Sequence, residues 1–319
     1  MKILLDDKAQ KGIVLIIVLW VLTILMVIVM SFSVMIRSET YATLGFREGL
    51  DKRFLAEAGI ERAIIELFYR NIYKNQEMFE EEKKAWAVDG KPYTFEMSNG
   101  QITVKIIDES GKIDINNLND LSGIILRNLL TNMGVPDQEI LIIVDSILDW
   151  KDSDDLRRLN GAENDYYMSL AKPYKAKNSK FDTLEELLLV KGMKPDILFG
   201  NGERKGIIDF ITIYSNSSTI NLRSAPREVL LAVPGLTPEI VDEIISKREG
   251  LIASNTLDIA IPQESSQFIT QHGSSNSYTI ESAGYKGDEK SAFTIKTSVI
   301  LEGNNKIKYV YYKSPVNVK

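Results

Sequence analysis

Between Gly12 and Arg37 the chain carries no charged residue, and the 24 residues in between read IVLIIVLWVLTILMVIVMSFSVMI. A helix of that length spans about 36 Å, more than the roughly 30 Å hydrocarbon core of a bilayer. Thr23, Ser31 and Ser33 can bond back to their own helix, so they do not oppose insertion. A core helix of a soluble protein does not need such unbroken apolarity. The chain must therefore fold around a membrane-spanning helix near its start. Lys8 and Lys11 precede the run, which places the N-terminus in the cytoplasm and the bulk outside it. The run is also too long for an ordinary secretory signal, and no small-residue cleavage site follows it.

Beyond this segment the 319-residue chain has globular composition, and its length calls for more than one folded body. With no cysteine, disulfides, thiolate metal sites and cysteine nucleophiles are excluded. The single histidine, His272, sits in a loop-like QHGSSNS run, which leaves almost no material for a zinc site or a catalytic triad. The net charge of -6 gives no electrostatic reason to bind nucleic acid and is compatible with divalent cations. No Walker A run, Rossmann glycine pattern or G-x-S-x-G elbow is present, so nothing singles out an enzyme.

Helical spacing continues past the membrane through Leu50, Phe54, Ala58, Ile60, Ile64, Leu67 and Phe68. Tyr93 to Met97 and Gln101 to Ile107 read as strands around Asn99-Gly100, a hairpin signal. Helices are expected from Leu121 to Met133 and after Pro136. Another is expected over LEELLLV, with Thr183 and Glu186 as a capping box. Ser224 and Thr237 are expected N-caps, with Pro226 and Pro238 in first turns. Residues 262–277 read as a loop, and three C-terminal runs read as an antiparallel meander.

The densest acidic cluster holds Asp149, Asp152, Asp154, Asp155, Glu163 and Asp165. Such a loop can supply the hard oxygen ligands that calcium takes. Leu156 and Arg157 break the EF-hand pattern. Lys151, Arg157 and Arg158 can instead neutralise the acids as a solvated network, and the residues alone leave both uses open. The stretch INLRSAPREVLLAVPGLTPEIVDEIISKREG resembles a helix-hairpin-helix unit. Its hairpin, Gly235-Leu236-Thr237, lacks the second glycine of DNA binders, and Glu239, Asp242 and Glu243 repel phosphate. Packing or protein contact is the expected role.

Lys11-Gly12 abutting the apolar helix resembles a class III prepilin leader, which implies cleavage after Gly12 by a prepilin peptidase and a mature, methylated start at Ile13. Ile17 then occupies the fifth mature position, where most pilin-like proteins carry Glu. That absence, the helical insert and the string DW-x-D-x-DD…GAE-x-x-Y together resemble the minor pseudopilin K family of type II secretion systems. In that family the acidic loop is associated with calcium.

The resemblance implies an α+β fold: an N-terminal transmembrane and stem helix, and a pilin-like antiparallel sheet domain with a large inserted helical domain, SAM-like or helix-hairpin-helix-like. Its expected segments are a leader at 1–12, a transmembrane helix at 13–36 and a stem continuation at 37–80. The first part of the sheet domain follows at 81–118, an inserted helical domain with the acidic loop at 119–205, a second helical unit at 206–272 and the last strands at 273–319. The implied partners are minor pseudopilins I and J and the major pseudopilin G, at the periplasmic tip of a pseudopilus anchored in the inner membrane. A tip subunit of a related type IV or competence pilus is the neighbouring reading. A membrane-anchored DNA-binding protein is the reading from another class.

Overall fold

The computed structural model describes residues 7–72, 86–97, 100–202, 204–249, 257, 259–271, 276–287, 291–302 and 306–316. His272, and the stem expected over 73–80, lie outside the described residues.

Helix α1 (Asp7–Ile72) is 66 residues long and runs unbroken through the Lys11-Gly12 junction. Its apolar stretch is long enough to cross a membrane and no part of it is buried by protein. Past its apolar stretch, α1 packs on a five-stranded sheet. The strands are β1 (Asp89–Met97), β2 (Gly100–Asp108), β7 (Ser277–Lys286), β8 (Phe293–Glu302) and β9 (Lys306–Lys313), in that spatial order. All four pairings are antiparallel. Ile102, Val104 and Ile106 alternate with polar residues along β2 and are fully buried, as one covered face requires.

The face of α1 that meets the sheet differs in part from the one its apolar spacing suggests. Ala56, Ile60, Ala63, Ile64 and Leu67 are buried, while Phe54 is 60% exposed. Small residues set the contact instead. A Cβ on Gly59 would collide with Ser282 Oγ and lie 2.7 Å from Ile102 Cγ2, and one on Gly284 would lie 2.8 Å from Ala56 N. Backbone therefore approaches backbone, and Phe54 has no room on this side. At the membrane-proximal end, Asp51 pairs with Lys286 and Lys52 donates to Ser291 Oγ at 3.1 Å.

The chain leaves β2 at the membrane-distal end of the sheet and returns on β7. Between them lies a helical body: β3 (Ile113–Asp114), α2 (Gly123–Asn132), α3 (Asp137–Lys151), α4 (Asn164–Met168), α5 (Pro195–Phe199), β4 (Ile211–Thr212), β5 (Ile220–Asn221), α6 (Arg227–Leu230), α7 (Pro238–Glu249) and β6 (Ile269–Thr270). The two helical segments expected at 119–205 and 206–272 share one continuous core, which runs from Ile113 to Phe268. Two short parallel pairings, β3 with β4 and β5 with β6, tie its start to its end. The β6 pairing also gives strand character to the run expected as loop from residue 262.

Two of the three capping expectations are corrected. Leu184–Leu189 is a 3₁₀ turn in which Thr183 makes no side-chain cap bond. Glu186 instead accepts from Lys177 Nζ at 2.9 Å and from the Asp182 amide at 3.3 Å. Pro226 rather than Ser224 precedes α6, and Ser224 is buried. Thr237 does accept from the Ile240 amide, at 3.4 Å, as α7 begins on Pro238.

The join between the two bodies is polar and closely packed. Asp108 Oδ1 accepts from the Ser110 amide and hydroxyl at 2.9 and 2.7 Å. Ser110 Oγ accepts from Asn221 Nδ2 at 3.1 Å. Lys112 Nζ pairs with Glu109 Oε1 at 2.8 Å with both side chains buried. Gly111 lets this turn lie against the backbone of Ser224 and Ala225.

Candidate metal centre

Helix α3 carries a run of core residues, Ile140, Ile143, Val144, Ile147 and Leu148, into its last turn. Asp149 lies in that turn and is completely buried. It is covered by the returning loop, because Gly161 sits where any side chain would strike its carboxylate: an added Cβ would be 2.7 Å from Asp149 Cγ. Asn160 fixes the same crossing, its amide and Nδ2 donating to Asp145 Oδ2 at 3.2 and 3.0 Å.

Of the six acidic residues expected as ligands, the fold gathers three. Asp149, Asp152 and Glu163 each offer an oxygen within 4.8 Å of the others. Asp165 instead points outward, with its side chain 70% exposed and 3.8 Å from Arg157. Asp154 and Asp155 are exposed. Asp154 Oδ1 accepts from the Leu156 amide at 2.8 Å, and Asp155 Oδ1 accepts from Asn164 Nδ2 at 2.8 Å.

Glu163 is 2% exposed, and neither of its carboxylate oxygens has a hydrogen-bond partner. Asp152 Oδ1 is likewise buried and unpartnered. Burial pushes the Glu163 carboxyl up to about 7, helped by the charges of Asp149 and Asp152. Burial also raises Asp149, against the opposing pull of Arg158. Buried polar atoms in folded proteins nearly always find partners, so unpaired oxygens aimed at two more carboxylates fit a hard cation.

One charge already enters the cluster. Arg158 Nη1 donates to Asp149 Oδ1 at 2.8 Å and to Asp152 Oδ2 at 2.7 Å. Its Nε reaches Asp120 Oδ1 at 3.3 Å. Burial opposes its charge, but hydrogen bonds to Asp152, Asp149 and Asp120 outweigh it and hold the guanidinium above its ordinary range. Arg158 and the three gathered carboxylates thus lie in one place. Asp120, Asp145, Asn160 and Gly161 were not among the expected site residues; the one signal for them was the Asn-Gly pair, which marks a turn.

An aromatic wall stands beside the acids. Trp150 and Tyr167 meet edge-on with centroids 5.1 Å apart, and Phe181 stacks on Trp150 at 6.4 Å. Farther along the body, the hairpin at Gly235 is covered. A Cβ there would lie 2.6 Å from Glu264 Oε1 and 2.7 Å from Ser265 Oγ. A carboxylate thus lies against the hairpin glycine.

The architecture defines a class: a single-pass, membrane-anchored subunit with a pilin-like sheet and an inserted helical body. Residues 111–199 match the family model described as type II secretion system (T2SS), protein K. Type II secretion system protein K of Pseudomonas aeruginosa is 24% identical over 255 residues, covering 76% of this chain and 73% of that one. The protein of the same description from Klebsiella pneumoniae is 28% identical over 200 residues, covering 59% of each. The crystal structure of the GspK-GspI-GspJ complex from the enterotoxigenic Escherichia coli type 2 secretion system contains a chain of the same fold. Its TM-score is 0.55 at 17% identity, over 86% of this chain and 99% of that one. The chain thus carries the type II secretion system protein K domain over residues 111–199 and is similar to proteins of that description, minor pseudopilins that are structural parts of a secretion machine rather than a known enzyme family.

Proposed function

We propose that this chain caps the tip of the type II secretion pseudopilus, where it joins minor pseudopilins I and J and starts assembly of the major pseudopilin G. The observation that carries this reading is Ile17. A prepilin peptidase acting on the cytoplasmic side would cut after Gly12 and leave Ile13 as the new, methylated terminus. A carboxylate at the fifth mature position is tolerated in hydrocarbon only if it is paired, and the amine of a subunit ahead is the partner available in a filament. A subunit with isoleucine there needs no subunit ahead, which suits the first position. The exposed apolar face of α1 would be covered by partner stems once the helix leaves the bilayer, through close packing rather than hydrophobic gain. The helical body, lying at the membrane-distal end of α1, would meet exported proteins or the outer-membrane channel.

Calcium belongs to the same reading. Asp149, Asp152 and Glu163 would hold it, and it would supply a cross-link between the end of α3 and the loop that covers it. The unpaired oxygens of Glu163 support this assignment.

Co-purification of the full chain with full-length I and J tests the tip reading. A stable ternary complex at micromolar concentration is the expected result, and its absence would sink the proposal. Mass spectrometry of the membrane-extracted chain tests processing: the expected N-terminus is Ile13, and Gly12→Leu should leave the leader attached.

A further inference from the structure

Calcium-type sites collect carboxylates and leave them uncompensated until the ion arrives, at a large cost to the empty fold. This site differs, because a cation of the chain itself enters it. Arg158 Nη1 bridges Asp149 Oδ1 and Asp152 Oδ2, two of the three carboxylates in the cluster. The third, Glu163, is left unpaired. Arg158 is placed there by its backbone as well as its charge, since its own amide donates to Asp149 Oδ2 at 3.2 Å.

We infer that Arg158 is a built-in counter-cation: a metal ion enters the Asp149, Asp152 and Glu163 site as the Arg158 guanidinium leaves it. This rests on the calcium reading above and adds what regulates that site. A metal ion seated on Asp149 Oδ1 and Asp152 Oδ2 would repel the guanidinium and compete with it for the same two oxygens. One guanidinium charge against three carboxylates stabilises the empty loop only in part, and a divalent ion offsets more of that charge. The displaced side chain has a holding point outside: Asp120 is 80% exposed and already 3.3 Å from Arg158 Nε. Metal binding is therefore an exchange of cations, with two consequences. The empty loop keeps its fold, and its affinity for metal is lowered by the charge-assisted hydrogen bonds that must first break.

The test uses the full chain in detergent micelles, stripped of metal. Terbium is added as the probe and read by emission sensitised through Trp150 and Tyr167, and calcium is then titrated in competition. Arg158→Gln should bind calcium at least about tenfold more tightly than the parent, since a hydrogen bond to a charged group is worth about 1.5–3 kcal/mol. Arg157→Gln removes the same charge from the same loop without touching Asp149, and it should change affinity by less than about threefold. Arg158→Lys, which keeps the charge but loses the fork, should fall between parent and Arg158→Gln. Without metal, Arg158→Gln should melt below Arg157→Gln, and saturating calcium should close the gap. Equal affinity in parent and Arg158→Gln, or equal tightening by Arg157→Gln, overturns the exchange and leaves calcium binding standing. No uptake of terbium or calcium by either parent or Arg158→Gln overturns both.

Discussion

Three glycines on α1 offer a controlled comparison, because the same substitution should stabilise at one and destabilise at another. Gly45 and Gly49 lie where an added Cβ meets nothing within 4 Å. Replacing Gly by Ala in an exposed helix interior gains about 1 kcal/mol. Gly59→Ala gains the same propensity, but its methyl group would lie 2.7 Å from Ile102 Cγ2 and 3.0 Å from Val104 Cγ2, besides colliding with Ser282 Oγ. The serine hydroxyl can turn away; Ile102 and Val104 are fully buried and cannot. Overpacking of this kind costs about 1–3 kcal/mol. Gly59→Ala should therefore lie about 1–3 kcal/mol below Gly45→Ala in stability, and Gly59→Leu further below. Hydrogen exchange of the full chain in micelles reads the difference directly. Amides of β2 and β7 should exchange about tenfold faster in Gly59→Ala than in Gly45→Ala for each 1.4 kcal/mol. Equal protection in the two variants would refute the close approach of stem and sheet.

Other tests follow from the buried charges. Glu163 is raised from 4.5 to about 7, so the folded chain binds a proton there that the unfolded chain has released between those values. Without metal, stability should then fall as pH rises from about 4.5 to 7, by at most about 3 kcal/mol. Thermal melts in chelator should show that slope, and Glu163→Gln should remove its share; a flat parent profile would contradict the raised carboxyl. Lys112→Met leaves Glu109 buried and unpaired at the join of the two bodies, at a cost of about 3–5 kcal/mol. Urea unfolding followed by Trp150 fluorescence should show it, and a loss below 1 kcal/mol would mean that the pair is not buried in solution. In the calcium reading, calcium should raise the melting midpoint of the parent over that in chelator, and identical midpoints would remove the site.

Local periodicity made most of the fold legible. The apolar run, the alternation of β2 and the C-terminal meander each depend on neighbours within a few residues, and all three are found in place. Thr237 and Pro238 likewise start α7 where local chemistry says a helix should begin. Phe54 shows the limit: its spacing matches an apolar stripe, yet Gly59 and Gly284 bring the backbones so close that the seat goes to Ala56. The Thr183–Glu186 box failed for a related reason, since Lys177, near in space, captures the glutamate.

The acidic loop divides the same way. By itself the sequence determined that carboxylates and arginines would crowd together between Asp149 and Asp165, because they are adjacent in the chain. Only the tertiary structure decided which of them come together. Helix α3 carries Asp149 into a core that the returning turn at Gly161 closes, and that closure strips water from Glu163 while Asp165 stays in solvent. The fold gathers three carboxylates of the six, Asp149 and Glu163 buried and Asp152 partly so, and the course of the loop places Arg158 between two of them.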